Sequence, residues 1–232
     1  MTRTTLTPMT PLQQLRAGRT TRRLVQLLAG LTLYGVSMGM LIRAGLGLDP
    51  WDVFHFGIAS HLPLSFGTVT IIVGAAVLLL WIPLRQMPGL GTIANVIVIG
   101  LVTDATLWLL DRPSAMVLRV LLLGGGILLN GLAGALYIGS QFGPGPRDGL
   151  MTGLVRRTGR SIRLVRTSIE LTVLLIGFAL GGVVGVGTVL YAVLIGPTVQ
   201  LFLPLFTVPL EVPTPRPTQG AAAAPADTIS GL

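Results

Sequence analysis

A chain of 232 residues that is 51% hydrophobic and only 10% charged, with a mean hydropathy of +0.81, lies outside the range of soluble domains, where about a quarter of residues are charged. Its net charge of +8 comes from 16 basic residues, all arginine, against 8 acidic ones. The arginines flank apolar runs, so they read as membrane-topology signals and not as a nucleic-acid footprint. The absence of cysteine excludes disulfides, thiolate metal sites and cysteine nucleophiles. His55 and His61 are the only imidazoles, and no HExxH, Walker loop or GxSxG occurs. The sequence is therefore read as a non-enzymatic integral membrane protein that needs no cofactor and no metal.

Residues 1–20 are polar, with Pro8, Pro11, Arg3, Arg16 and Arg19, and are expected to form a disordered cytoplasmic tail. Apolar runs then follow at 24–42, 66–84, 89–110, 117–139, 164–182 and 185–207. Each approaches the roughly 20 residues that cross about 30 Å of hydrocarbon, which predicts an all-α protein with six spans. The first run lacks a small-x-small cleavage site and is read as a retained span, not a signal peptide. Residues 208–232, rich in Pro, Ala and Thr, are expected to be a second disordered cytoplasmic tail.

Two interruptions stand out. "GLGLDPWDVF" at 45–54 follows the first run, and "QFGPGPRDGL" at 141–150 follows the fourth. Each has Gly, then Pro, then Asp two residues on. Proline presets the first helical turn, and a carboxylate in that turn meets the positive end of the helix dipole. Short helices are predicted over about 50–60 and 146–157, with Asp49 as an added cap for the first. Two placements are open. The helices can lie flat at the interfaces, where Trp51 suits an aromatic belt. They can also be re-entrant half-helices: about seven extended residues reach about 20 Å, and a ten-residue helix returns about 15 Å. In the second case the two helix starts meet near the midplane and their positive ends face an anion or a polar substrate, with Asp52 and Asp148 nearby.

Shifted by 96 residues, the chain lies on itself without a gap. Gly30 falls on Gly126, Gly35 on Gly131, Gly47 on Gly143, Pro50 on Pro146, Asp52 on Asp148, Gly57 on Gly153 and Ser65 on Ser161. "GLGT" at 89–92 falls on "GVGT" at 185–188. Roughly a quarter of the aligned positions are identical. The units are 21–112 and 113–207, and three spans in each make an inverted-topology repeat. The arginines agree. Arg3, Arg16, Arg19, Arg22 and Arg23 hold the N-terminus in the cytoplasm. The loop after the first span then faces outward and carries Asp49, Asp52, His55 and His61. Its counterpart faces inward and carries Arg147, Arg156, Arg157, Arg160, Arg163 and Arg166. Arg112 and Arg119, on the outer side, are exceptions.

Ionisable and polar groups within spans are costly and point to function. The candidate substrate or ion path comprises Asp49, Pro50, Trp51, Asp52, Pro146, Arg147, Asp148, Asn95, Asp104 and Asn130. Each has a plainer reading. Asp104 reads as a snorkelling carboxylate or one paired with Arg112 or Arg119, or as a proton-coupling group. Glu170 reads as an i, i+4 partner of Arg166. Asn95 and Asn130 fit helix–helix hydrogen bonds equally well, and His55 and His61 read as solvated loop residues. "SMGM" at 37–40 and "GLAGA" at 131–135 read as close helix packing.

"GLGLDPWDVF", "LSFGTVTIIVG", "GLGTIANVIVIG" and "GPGPRDGLM" together resemble the YczE/YyaS/YitT-type family of bacterial integral membrane proteins, over about residues 20–207. The resemblance implies a polytopic plasma-membrane protein and brings no catalytic residue with it. The favoured function is secondary transport or export of a small molecule. The alternative is a non-transporting assembly or regulatory partner that docks a protein or anionic lipid through Arg156, Arg157 and Arg160. The lipid bilayer is the one partner the composition requires, and the oligomeric state stays open.

Overall fold

The computed structural model describes residues 13–14 and 17–210. Arg3, Arg16, Arg216 and most of both tails lie outside them. Among the described residues eight helices are complete: α1 (Thr20–Ala44), α2 (Pro50–Ala59), α3 (Phe66–Leu84), α4 (Leu90–Leu109), α5 (Met116–Gly139), α6 (Pro146–Thr158), α7 (Ile162–Ala179) and α8 (Val186–Phe206). Five of them, α1, α3, α4, α5 and α8, are long and apolar enough to cross a membrane. The remaining long helix, α7, carries Arg163, Arg166 and Glu170 within its 18 residues and falls outside that set. Large apolar side chains such as Leu79, Leu101, Leu121, Leu175 and Leu201 point away from the protein, as lipid-facing surfaces require.

The helix ends follow the local sequence. Asp49 Oδ1 accepts from the amides of Trp51 (2.8 Å) and Asp52 (3.0 Å), capping α2 ahead of Pro50. Ser65 and Ser161 cap α3 and α7. Backbone conformation recurs at an offset of 96 residues. Gly45 and Gln141 have φ of 58° and 57°, Gly47 and Gly143 122° and 108°, and Arg85 and Gly181 51° and 84°. The residues before the two prolines, Asp49 and Gly145, share φ −65° with ψ 161° and 162°. Gly91 N–H donates to Phe142 O at 2.9 Å, and Gly187 N–H donates to Leu46 O at 2.8 Å.

Helices α1 and α5 form the centre of the protein and pack along their length, with α4 against α1 and α8 against α5. Arginines join their ends. Arg23 on α1 is fully buried; its Nε donates to Ser140 O (2.8 Å), its Nη2 to Gln141 O (2.9 Å) and its Nη1 to Gln14 O, and it lies 4.2 Å over the Phe142 ring. Arg119 on α5 does the same at the other end: Nε donates to Ala44 O (2.7 Å) and Nη2 to Gly45 O (2.8 Å). The start of each helix thus holds the C-terminal carbonyls of the other, where the helix dipole favours a cation, and the two helices are antiparallel. Arg119, an exception to the charge pattern, is a cap.

The tails are packed where they leave the bundle. Gln14 and Ala17 are buried, and so is Val208, whose amide donates to Gly139 O at 3.0 Å. The expectation of disorder over 1–20 and from 208 onward does not hold at these residues; residues 1–12, 15–16 and 211–232 lie outside the described ones. Apolar contact with the bundle and the backbone hydrogen bond from Val208 to Gly139 offset the entropy of ordering the packed residues.

Short helix α2 packs on α7, and α6 packs on α3. At Gly177 of α7 the backbone of α2 comes so close that a Cβ would lie 2.5 Å from Phe54 Cα. The position 96 residues earlier is Trp81, whose indole lies over Gly149 of α6 and whose Nε1–H donates to Pro146 O at 3.1 Å. A large residue faces a glycine in one pair, and a glycine faces backbone in the other.

Candidate functional site

The starts of α2 and α6 meet. Arg147, the second residue of α6, lies 3.6 Å from Asp49 Oδ1 and 3.5 Å from Asp52 Oδ1, with its guanidinium 5.1 Å from the centre of the Trp51 ring. Trp51 and Arg147 occupy equivalent positions in the two loops, as do Asp49 and Gly145. The positions at which the loops differ are thus one another's partners. The aromatic face and the acid come from one helix and the cation from the other, a stacking that suits guanidinium.

Around this meeting point lies a cavity of about 380 Å³. Asp49, Pro50, Trp51, Asn95, Asn130, Pro146, Arg147 and Asp148 all line it. Asp52 is fully buried behind them, pairing with Arg147 and with His55 Nδ1 at 3.3 Å. Its carboxylate faces these side chains instead of accepting amides of its own first turn; Asp49 already holds those. Its second oxygen, Oδ2, is buried with no hydrogen-bond partner.

His55 is 2% exposed and lines the cavity. The expectation of a solvated loop histidine is corrected: α2 turns inward, and its second turn is covered by Phe66, whose ring packs edge-on to the imidazole. His61 stays near the surface, bonded to Gly57 O at 2.9 Å. Asp104 is not in the cavity. It accepts from the Gly67 amide at 2.7 Å and from the Ser65 hydroxyl, so it caps the start of α3, and no arginine pairs with it among the described residues. The expectation of pairing with Arg112 or Arg119 does not hold, because Arg119 is committed to the end of α1.

Asn130 receives a hydrogen bond from Tyr191 OH (2.9 Å) and donates to Ser37 Oγ (2.8 Å). This joins α8, α5 and α1 at the cavity wall. Arg166 Nε donates to Glu170 Oε1 at 2.9 Å as the i, i+4 spacing predicts, and both also line the cavity. Gln200, Tyr34 and Tyr137 are further lining residues that the sequence did not single out. Arg156, Arg157 and Arg160 are exposed and do not line the cavity; Arg157 Nη1 donates to Pro83 O at 2.8 Å.

Four carboxylates thus stand at or behind the cavity wall against two guanidinium groups. Glu170 occupies Arg166, Asp49 and Asp52 share Arg147, and Asp148 has no ion-pair partner among the described residues. No group of His, Asp and Glu among the described residues has the arrangement to hold a metal ion.

Known proteins place the chain. Residues 21–204 match a family of unknown function, DUF6198. The chain is 45% identical over 177 residues to an uncharacterized protein of Haemophilus influenzae, covering 76% of this chain and 81% of that one. It is 32% identical over 200 residues to the uncharacterized membrane protein YczE of Bacillus subtilis, covering 85% and 93%. It is 24% identical over 180 residues to YyaS of the same organism, covering 76% and 90%. No solved structure matches it. With the match running from the start of α1 nearly to the end of α8, and multi-pass apolar helices as its frame, the chain belongs to the YczE/YyaS-type family of bacterial integral membrane proteins.

Proposed function

We propose that this membrane protein is a secondary transporter or exporter of a small molecule, built from two inverted-topology repeats of three spans each. α7 serves as the sixth span, and both termini lie in the cytoplasm of a bacterial plasma membrane. The observation that carries the reading is the cavity at the meeting of two short helix starts, lined by Asp49, Arg147 and Asp148 with Asp52 behind them. Its volume of about 380 Å³ lies within the range of small-molecule sites, about 300–1,000 Å³.

The antiparallel α1 and α5, their reciprocal arginine caps and the positive-φ positions 96 apart support the inverted repeat. The contact of Arg147 with Asp49 and Asp52 supports re-entrant helices over interfacial ones, since helices lying flat on opposite surfaces would be about 30 Å apart. Discontinuous helices meeting between repeats are a common construction of carrier binding sites. Within α7, the Arg166–Glu170 pair lowers the cost of charge in a span, and its residues face the cavity and not lipid alone.

The test is flux in proteoliposomes holding a pH-sensitive dye, challenged with panels of small cationic, anionic and neutral solutes under an imposed pH gradient. Asp52→Asn and Asp148→Asn are expected to abolish flux while expression and unfolding temperature stay near those of the parent. Full flux through both variants removes these residues from the mechanism, and no flux of any solute through the parent overturns the transport reading. A second reading, docking of a partner through the exposed Arg156, Arg157 and Arg160, predicts a co-purifying protein that is lost when the three become Gln.

A further inference from the structure

Beside Gly145, three polar groups converge on one point. A Cβ placed on Gly145 would lie 2.9 Å from Tyr137 OH, 3.5 Å from Asp148 Oδ2 and 3.7 Å from Asn95 Nδ2. Glycine lets these three groups close in on the backbone, since any side chain would crowd the Tyr137 hydroxyl; at the equivalent position of the other loop stands Asp49. Tyr137 is 4% exposed, and its buried hydroxyl makes no hydrogen bond of ordinary geometry, with the Gly145 backbone beside it. A buried hydroxyl left unmatched is costly, so a group that bonds to it has a ready gain. Tyr137, Asn95 and Asp148 all line the cavity and come from three different helices, α5, α4 and α6.

The charges around this point select the sign of the ligand. Both guanidinium groups are engaged, Arg166 by Glu170 at 2.9 Å and Arg147 by Asp49 and Asp52 at 3.6 and 3.5 Å. Asp148 makes no ion pair within 4 Å among the described residues, and Arg147 and Arg166 act on its charge only from farther away. An anion entering here meets an unpaired carboxylate; a monovalent cation neutralises it. Tyr137 OH can accept a hydrogen bond, and Asn95 can turn its amide to present oxygen, since the two ends of an amide are assigned by their neighbours. Apolar wall is supplied by Met38, Val73, Val96 and Ile99, with aromatic surface from Tyr34 and Trp51.

We propose that the cavity binds a small organic cation, an ammonium group on an apolar or aromatic body. The ammonium sits beside Gly145, donating to Asp148, Tyr137 and Asn95, and the body lies against the apolar wall. This deepens the transport reading by naming its substrate class, but the recognition itself does not require flux.

Binding to the purified full chain in detergent tests it directly, by calorimetry with three probes of one shape: 2-phenylethylammonium, neutral 2-phenylethanol and anionic 3-phenylpropionate. The cation is expected to bind, with the neutral and anionic probes at least tenfold weaker. Asp148→Asn is expected to weaken the cation roughly tenfold or more, the usual weight of a hydrogen bond to a charged group. Tyr137→Phe, which keeps the ring, is expected to weaken it several-fold, and Arg160→Gln at the surface is expected to leave it unchanged. Unfolding temperatures identify any variant that has lost its fold, and Tyr137→Phe then carries the test. Tighter binding of the anion, no binding of the cation, or cation affinity unchanged in both site variants overturns the proposal. Cation binding without flux in proteoliposomes removes the transport reading and leaves this site standing.

Discussion

Replacing Arg23 by Met removes the guanidinium while keeping most of the stem over Phe142. Three carbonyls, Ser140 O, Gln141 O and Gln14 O, then lose their donor in a place where Arg23 was fully buried. Hydrogen bonds to a charged group contribute about 1.5–3 kcal/mol each, but they are not additive when they share one donor group, so the expected loss is about 3–4 kcal/mol. Arg119→Met removes two such bonds, to Ala44 O and Gly45 O, from a side chain that is only partly buried. Water can replace the donor there, so the expected loss is about 1–2 kcal/mol. For a chain of this size each kcal/mol moves the unfolding temperature by about 2–4 °C. Arg23→Met should therefore lower it by about 10 °C and Arg119→Met by about 4 °C. The assay is intrinsic tryptophan fluorescence on heating in one detergent at one scan rate, because membrane proteins often unfold irreversibly. The two caps are separated by most of the length of α1, about 30 Å at 1.5 Å per residue, so the double variant should show the sum. An Arg119→Met loss equal to or larger than that of Arg23→Met refutes the reasoning, as does no change in either.

Asp104→Ala should cost about 1–2 kcal/mol, as loss of a helix cap does, while leaving 2-phenylethylammonium affinity unchanged; lost binding with an unchanged unfolding temperature would restore Asp104 to the ligand path. Gly149→Ala should destabilise by about 1–3 kcal/mol, because the new methyl overlaps the Trp81 indole. Gly124→Ala, where nothing lies within 4 Å, should be neutral or stabilising by up to about 1 kcal/mol, and equal effects of the two on thermal unfolding would contradict this packing. Since the chain has no native cysteine, single cysteines at His61 and Arg160 can be labelled in intact cells with a membrane-impermeant maleimide. Labelling is expected at 61 and not at 160, and labelling of both from outside would contradict the inverted topology.

Much of the helical layout could be read along the chain. Runs of apolar residues long enough for a span, ended by Gly, Pro or Ser, set α1, α3, α4, α5 and α8 to within a few residues, and α2 and α6 begin at the two prolines where the missing N–H costs nothing. The site was legible in part. Asp49, Trp51, Arg147, Asp148, Asn95 and Asn130 stood out as polar or aromatic groups in unusual places, and they share one cavity. Asp104 stood out for the same reason yet serves a helix start. Cost in the membrane marks a residue as needing a partner without naming the partner. Tyr34 and Tyr137 gave no signal, because a tyrosine in an apolar run looks the same whether it meets lipid, core or cavity. The arginine caps did leave a trace, since Arg23 and Arg119 are themselves equivalent positions of the two loops' repeats, but the shared position says nothing of what each side chain holds.

By itself, the sequence determined that this protein lives in a bilayer, where its helices lie, and that two of its loops share one plan. These follow from hydropathy, proline geometry and self-similarity, which act over a few residues or compare one segment with another. Only the tertiary structure decided that the two loops meet, that Arg147 of one lies between Asp49 and Asp52 of the other, that His55 is buried, and that Asp148 makes no close ion pair among the described residues. Those facts depend on contacts between residues roughly a hundred positions apart, and such contacts are set by which helices pack closely enough, at Gly177 and Gly149, for the short helices to reach one another.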